Sequence, residues 1–241
     1  PLDMQIEPLG VQQSAEHEGD ARLPCPRRRD RNHRPLAGQS LLKRIADAYR
    51  RIRNTARFLL GNLDGFDPLR DAVPAEQLVA IDRWALQVAA RLQAEIAAAY
   101  RDAQFHLVYQ LLHNYCVVDL GGLYLDVLKD RLYTLPAASQ ARRSAQTAMY
   151  HIAEALVRWI APILSFTADE IWRLLPGERG AAEHSVFAQT WHRLPELPAG
   201  AVAEGHWPQL LAAREAVKKV LEDLRARELI GSALDAEGSL Y

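Results

Sequence analysis

The chain has 241 residues, 49% hydrophobic and 24% charged, the balance of an ordinary globular protein with room for one large domain or two small ones. No apolar run approaches the roughly 20 residues of a membrane span, so a membrane role is not expected. The net charge of −1 excludes a uniformly cationic chain, and two distant cysteines, Cys25 and Cys116, argue against a disulfide framework and for a reducing, cytoplasmic setting.

Residues 1–39 are rich in Pro, Gly, Gln and charge and show no sustained period, so they read as irregular. Order is expected to begin with Ser40 as a helix cap. A first helix from about Ser40 to Leu60 buries Leu41, Ile45, Ala48, Tyr49, Ile52, Ala56 and Leu59, with Gly61 suited to a left-handed C-cap. A second begins at Pro74 and runs to about Arg101, with Leu78, Ile81, Trp84, Leu92 and Ile96 inward. A third stretch covers Gln104 to Tyr133, with Gly121-Gly122 expected to bend or split it. Its apolar face takes Leu120, Leu123, Tyr124, Val127, Leu128 and Leu132.

A fourth long helix runs from Ala138 to Ala161 and ends at Pro162. Thr167-Ala-Asp-Glu170 fits a capping box for a short helix carrying Ile171 and Trp172. Residues 178–205 read as irregular. A last helix spans Pro208 to Leu229, with Gly231 ending it, and Leu234 to Tyr241 alternates like a lone strand. The expected fold is all-α: a bundle of four long helices with shorter ones, a C-terminal helix and a single trailing strand. The expected division is an irregular segment 1–39, a bundle 40–195, and a linker, helix and truncated α/β element over 196–241.

No phosphate-binding glycine loop, nucleophile elbow or metal-protease motif occurs. His113 and Cys116 have ligand-like spacing, but two ligands cannot close a zinc site, and Cys116 reads as a buried thiol. His106, His113, His151, His184 and His192 lack triad-like neighbours and read as structural. No catalytic residue, metal or cofactor is expected in the chain. What stands out is charge. Lys43, Arg44, Arg50, Arg51, Arg53 and Arg57 share one helix with Asp47 as the only acid, and Arg27 to Arg34 form a second cluster. Cations this dense call for an anionic partner outside the element.

Three segments together resemble one family. They are Tyr49-Arg-Arg-Ile-Arg-Asn-Thr-Ala-Arg-Phe-Leu-Leu-Gly-Asn-Leu63, Tyr115-Cys-Val-Val-Asp-Leu-Gly-Gly-Leu-Tyr-Leu-Asp-Val-Leu-Lys-Asp-Arg-Leu-Tyr133, and Ile160-Ala-Pro-Ile-Leu-Ser-Phe-Thr-Ala-Asp-Glu-Ile-Trp172 followed by Trp191. In this order they resemble the anticodon-binding helical domain of class I aminoacyl-tRNA synthetases, most closely the isoleucyl type. The resemblance covers about residues 40–241; residues 1–39 depart from it. It implies a bundle that grips tRNA around the anticodon stem. The catalytic His-Ile-Gly-His and Lys-Met-Ser-Lys-Ser signatures, the editing domain and the zinc module are not in this chain, so ATP, Mg and Zn would belong to other parts of such an enzyme.

The expected partner is therefore tRNA, with the chain a catalytically inactive, monomeric fragment of an isoleucine-tRNA ligase. Its phosphate contacts are expected from Lys43, Arg50, Arg51, Asn54, Arg57, Lys129 and Arg131. Arg53 flanks the apolar stripe, leaving phosphate contact and an internal pair both open. Trp84, Trp159, Trp172 and Trp191 are expected in the core rather than as base platforms. The alternative is a protein-interaction bundle docking on the remaining synthetase domains.

Overall fold

The computed structural model describes residues 35–177, 185–197 and 206–231. The chain divides into two compact units, residues 1–43 and 44–241. Of the first, only the opening turns of a helix are described. The Arg27–Arg34 cluster, Cys25, His184 and the expected strand Leu234–Tyr241 lie outside the described residues.

Among the described residues the fold is all-α, without strands. Seven α-helices follow one another: α1 (Pro35–Asn62), α2 (Ala80–Arg101), α3 (Phe105–Asn114), α4 (Leu125–Thr134), α5 (Gln140–Ile160), α6 (Ser165–Leu174) and α7 (His206–Ala226). A π-helical stretch, Tyr115–Tyr124, joins α3 to α4, and short 3-10 turns stand at Ala75–Gln77 and Val186–Ala188. The bundle is assembled around α5, which packs against α2, α4, α6 and the second 3-10 turn. That is why α5 is buried on most sides: Ala145, Ala148, Met149, Ile152, Ala153, Leu156, Trp159 and Ile160 are all buried, and so are Ser144, Gln146, Thr147 and Glu154. Each large side chain buried in this way contributes about 1.5–3 kcal/mol. Ser139 caps α5, its Oγ accepting from the Arg142 N–H at 3.3 Å.

Several ends differ from the sequence reading, each for a local reason. Pro74 opens the 3-10 turn rather than α2. Val79 is extended and its N–H goes to Ser144 Oγ at 2.8 Å, so α2 starts at Ala80. The capping box at Thr167 does not form, because α6 already starts at Ser165. Thr167 Oγ1 instead meets Tyr49 OH at 3.1 Å, and Glu170 pairs with Arg53. Gly61 stays helical and α1 runs on to Asn62, while the left-handed turn falls at Gly65, φ 68°. At the end of α7 the reversal falls on Glu228, φ 58°, with Leu229 N–H donating to Leu224 O at 3.0 Å; Gly231 is not needed for it.

The expected third stretch is divided into α3, the π-helical stretch and α4, and Gly121-Gly122 sits within the π-helical stretch. The wider turn buries Tyr115, Cys116, Leu120 and Tyr124 at four- and five-residue steps, and α4 continues with Leu125, Leu128 and Leu132. Val127, expected inward, is exposed. A Cβ on Gly121 would stand 3.0 Å from Cys116 O, and one on Gly122 would stand 3.2 Å from Val117 O. Those carbonyls belong to a packed backbone and cannot retreat cheaply. Gly121→Ala is thus expected to destabilise the protein by about 1 kcal/mol in urea unfolding, against the gain of up to about 1 kcal/mol that alanine brings to an ordinary helix. A stabilised variant would show that the wide turn is not required.

Several interior polar groups are matched, within α5 or across elements, whereas the buried Tyr115 OH has no hydrogen-bond partner among the described residues. Arg158 donates to Glu154 and lies over the Trp172 ring at 4.7 Å. Arg143 meets Asp71 at 3.3 Å and Gln146 Oε1 at 2.8 Å. Tyr100 OH donates to Trp159 O at 2.7 Å. Cys116 is a buried thiol, its pKa pushed up to about 12 by desolvation, so it is inert as a nucleophile.

His151 of α5 faces His192, Nδ1 to Nε2 at 2.9 Å, and burial pulls its pKa down to about 4. An unfolded histidine takes its proton near pH 6.5, so between pH 6.5 and 4 the unfolded chain binds the extra proton. Stability is therefore complete above pH 6.5 and falls as pH drops through that window, by up to about 3 kcal/mol before screening at the partly exposed ring. Urea midpoints at pH 7 and pH 5 check this: His151→Gln is expected to flatten the difference, and an unchanged difference counts against the assignment.

Candidate nucleic-acid interface

The basic residues of α1 separate by where the helix touches the bundle. Ile52, Ala56 and Leu59 are buried, and this fixes the orientation of the helix. On its flanks Thr55 Oγ1 donates to Cys116 O at 3.4 Å, and Tyr49 and Arg53 reach α6. The remaining surface carries Arg50, Asn54 and Arg57 at three- and four-residue steps, with Arg51 beside them; all four are exposed. Arg51 and Arg57 make no ion pair among the described residues. Arg50 holds Asp47 at 2.6 Å, an exposed contact one turn away. Pairs of that kind contribute about 0.2–1 kcal/mol and are readily exchanged for a phosphate. Lys43 is exposed in the part of α1 that belongs to the first unit.

Arg53 takes the internal option. Its Nη1 and Nη2 donate to Glu170 Oε2 and Oε1, both at 2.8 Å, and Nη1 also reaches Tyr49 OH at 3.4 Å. This fork ties α1 to α6. The hydrogen bonds from Arg53 hold the Glu170 carboxyl below the usual carboxylate range, and those to Glu170 and then Tyr49 hold the guanidinium pKa above its own.

The two candidates on α4 part company as well. Lys129 is exposed and pairs with Asp126 one turn earlier at 2.8 Å. That hydrogen bond lowers the Asp126 pKa, with Arg214 and Lys218 of α7 adding weaker attraction. Arg131 corrects the expectation of a phosphate contact. Its side chain is only 18% exposed and forks onto Asp82, Nη1 to Oδ2 at 3.0 Å and Nη2 to Oδ1 at 2.8 Å. Asp82 is fully buried and also accepts from Tyr124 OH at 2.9 Å and Ser144 Oγ at 2.5 Å. Four elements meet on one carboxylate: α2, the π-helical stretch, α4 and α5. Sequence reading placed Asp82 on no face in particular. An acid among Leu78, Ile81 and Leu86 was the signal available for an inward carboxylate.

Trp84, Trp159 and Trp172 are core residues, whereas Trp191 is partly exposed, lying against Tyr100 at 6.0 Å between ring centres. No group of three or more His, Cys, Asp or Glu side chains that could hold a metal occurs among the described residues. No helix among them is long and apolar enough to cross a membrane. The arrangement offers charge and hydrogen-bond donors on α1, anchored from behind.

Residues 82–240 match the family described as the anticodon-binding domain of tRNA ligase. The chain is 62% identical over 203 residues to an isoleucine–tRNA ligase of Nitrosococcus oceani, covering 83% of this chain and 21% of that protein. It is 60% identical over 206 residues to the enzyme of Halorhodospira halophila, 84% of this chain and 21% of that one. It is 60% identical over 200 residues to that of Stenotrophomonas maltophilia, with 83% and 21% covered. The chain thus spans about a fifth of the length of these relatives. A helical bundle with an open cationic helix, matched over most of its length, belongs to the anticodon-binding domain family of tRNA ligases.

Proposed function

We propose that this chain binds an isoleucine-type transfer RNA around its anticodon stem and performs no chemical step of its own. The observation that carries the reading is the open face of α1: Arg50, Arg51, Asn54 and Arg57 are exposed together, and among the described residues Asp47 is the one acid that pairs with any of them. Phosphates pass such a stripe at intervals a helix can follow, and guanidinium forks suit them. Lys129 extends the contact onto α4, and Lys43, in the first unit, is a phosphate contact considered by itself. Arg131 stays with Asp82 and serves by fixing α4 in place. Residues 40–195 form the gripping module in this reading, and 196–241 lead on from it.

The names of the relatives, isoleucine–tRNA ligases, support the isoleucine assignment. A cytoplasmic setting, with ATP, Mg and Zn held by other parts of such an enzyme, belongs to the same proposal. A second reading, docking of the bundle on further synthetase domains, is favoured by large apolar side chains left in solvent. Leu69 is 98% exposed and Phe166 94%.

Filter binding of the chain to a pool of tRNAs tests the first reading. Retention at low salt with a steep loss toward moderate salt is expected, because phosphate contacts release counterions. No retention of any tRNA at low salt would remove the proposal.

A further inference from the structure

A cavity of about 470 Å³ lies between α2, the π-helical stretch and α7. One wall is a pair of indoles, Trp84 of α2 and Trp207 of α7, with ring centres 5.3 Å apart, continued by Leu211. The other sides carry Gln87 and Arg91 from α2 and Asp119 from the π-helical stretch. The six ion pairs described above join acids and bases into direct contacts. These side chains are different. Asp119 makes no hydrogen bond or ion pair among the described residues; it feels Arg91 only at longer range, and desolvation raises its pKa. Neither Gln87 nor Arg91 has a hydrogen-bond partner among the described residues. A partly buried carboxylate left without donors is unfavourable, and Asp119 stands open to the cavity.

A molecule that completes the set must be flat enough for the indole wall, must present N–H groups to a carboxylate, and must offer acceptors to a guanidinium. Guanine meets all three. Its N1–H and 2-amino group lie on one edge and its O6 and N7 acceptors on another. Adenine has no N1–H, and cytosine and uracil have neither the second ring nor the O6/N7 pair. We propose that this cavity takes an unstacked guanine base of the bound RNA, with Asp119 accepting from N1–H and the 2-amino group and Arg91 donating to O6 and N7. The inference rests on the tRNA-binding reading for the source of the base. The site itself is separate from the α1 stripe, which meets phosphates whatever the sequence.

Titration of the full chain with guanosine 5′-monophosphate at moderate salt, followed by quenching of indole fluorescence, tests the site. Saturable quenching is expected, with the adenine, cytosine and uracil mononucleotides at least about tenfold weaker, as the loss of a bidentate contact implies. The inosine nucleotide, which lacks the 2-amino group, should fall between. Asp119→Asn keeps the shape and is expected to erase the preference for guanine; Arg91→Gln, at an exposed position, gives an independent variant expected to weaken guanine binding about tenfold. Equal binding of all four nucleotides, or an unchanged preference in Asp119→Asn, would overturn the proposal. Competition assigns the source: saturating guanosine monophosphate should lower tRNA retention several-fold. Selective binding without competition would overturn the RNA part and leave a site for free nucleotide. Absence of tRNA retention alongside selective quenching would sink the tRNA reading alone.

Discussion

Replacing Arg131 by alanine is expected to lower the unfolding free energy by about 3–5 kcal/mol, read from urea denaturation at neutral pH. The reason is the state in which Asp82 is left. Its carboxylate is 0% exposed and keeps only the Tyr124 and Ser144 hydroxyls once the guanidinium is gone. A buried charge deprived of its counter-charge loses far more than an exposed pair would, because neither solvent nor a second cation takes its place. Asp82→Asn removes the charge and keeps the shape, so a smaller loss of about 1–3 kcal/mol is expected. The double variant should be less destabilised than the two singles added together, by at least about 1 kcal/mol, since the groups act on each other directly. A loss under about 1 kcal/mol for Arg131→Ala would mean that water reaches Asp82. Wherever the variant is folded, its dependence of tRNA retention on salt should match the parent protein, which separates a positioning role from phosphate contact.

Charge reversal on α1 is expected to act on binding and not on folding. Arg50→Glu with Arg57→Glu should reduce tRNA affinity at least about tenfold at moderate salt and flatten the salt dependence by about two phosphate contacts. Both side chains are exposed, and among the described residues the one carboxylate contact given up is the Arg50–Asp47 pair, so the urea midpoint should move little. Arg53→Gln supplies the contrast. It breaks the fork to Glu170 and loosens α1 from α6, with its effect on stability rather than on the salt slope. An affinity unchanged by the double reversal would remove α1 from the interface.

The legibility of the chain followed the range of the forces involved. Helix periods, Pro136 and Pro162 as stops, and the inward tryptophans Trp84, Trp159 and Trp172 were readable because apolar spacing and backbone chemistry act within a few residues. The π-helical stretch was not. Its five-residue step resembles the ordinary period over ten residues, and Gly121-Gly122 reads as a break unless the carbonyls beneath it are known. The false capping box at Thr167 had the right letters, but Tyr49 and Arg53, more than a hundred residues earlier, had stronger claims on Thr167 and Glu170.

The amino-acid sequence by itself determined that this chain is helical, where its long helices lie, and that one of them carries a stripe of cations, since periodicity and net charge are properties of neighbours along the chain. Which cations remain available was decided by the tertiary structure alone. Arg53 finds Glu170 at a separation of 117 residues and Arg131 finds Asp82 at 49, while Arg51 and Arg57 meet no acid among the described residues. A guanidinium's fate depends on which carboxylate comes within hydrogen-bonding distance and how little water is left between them, and folding settles both.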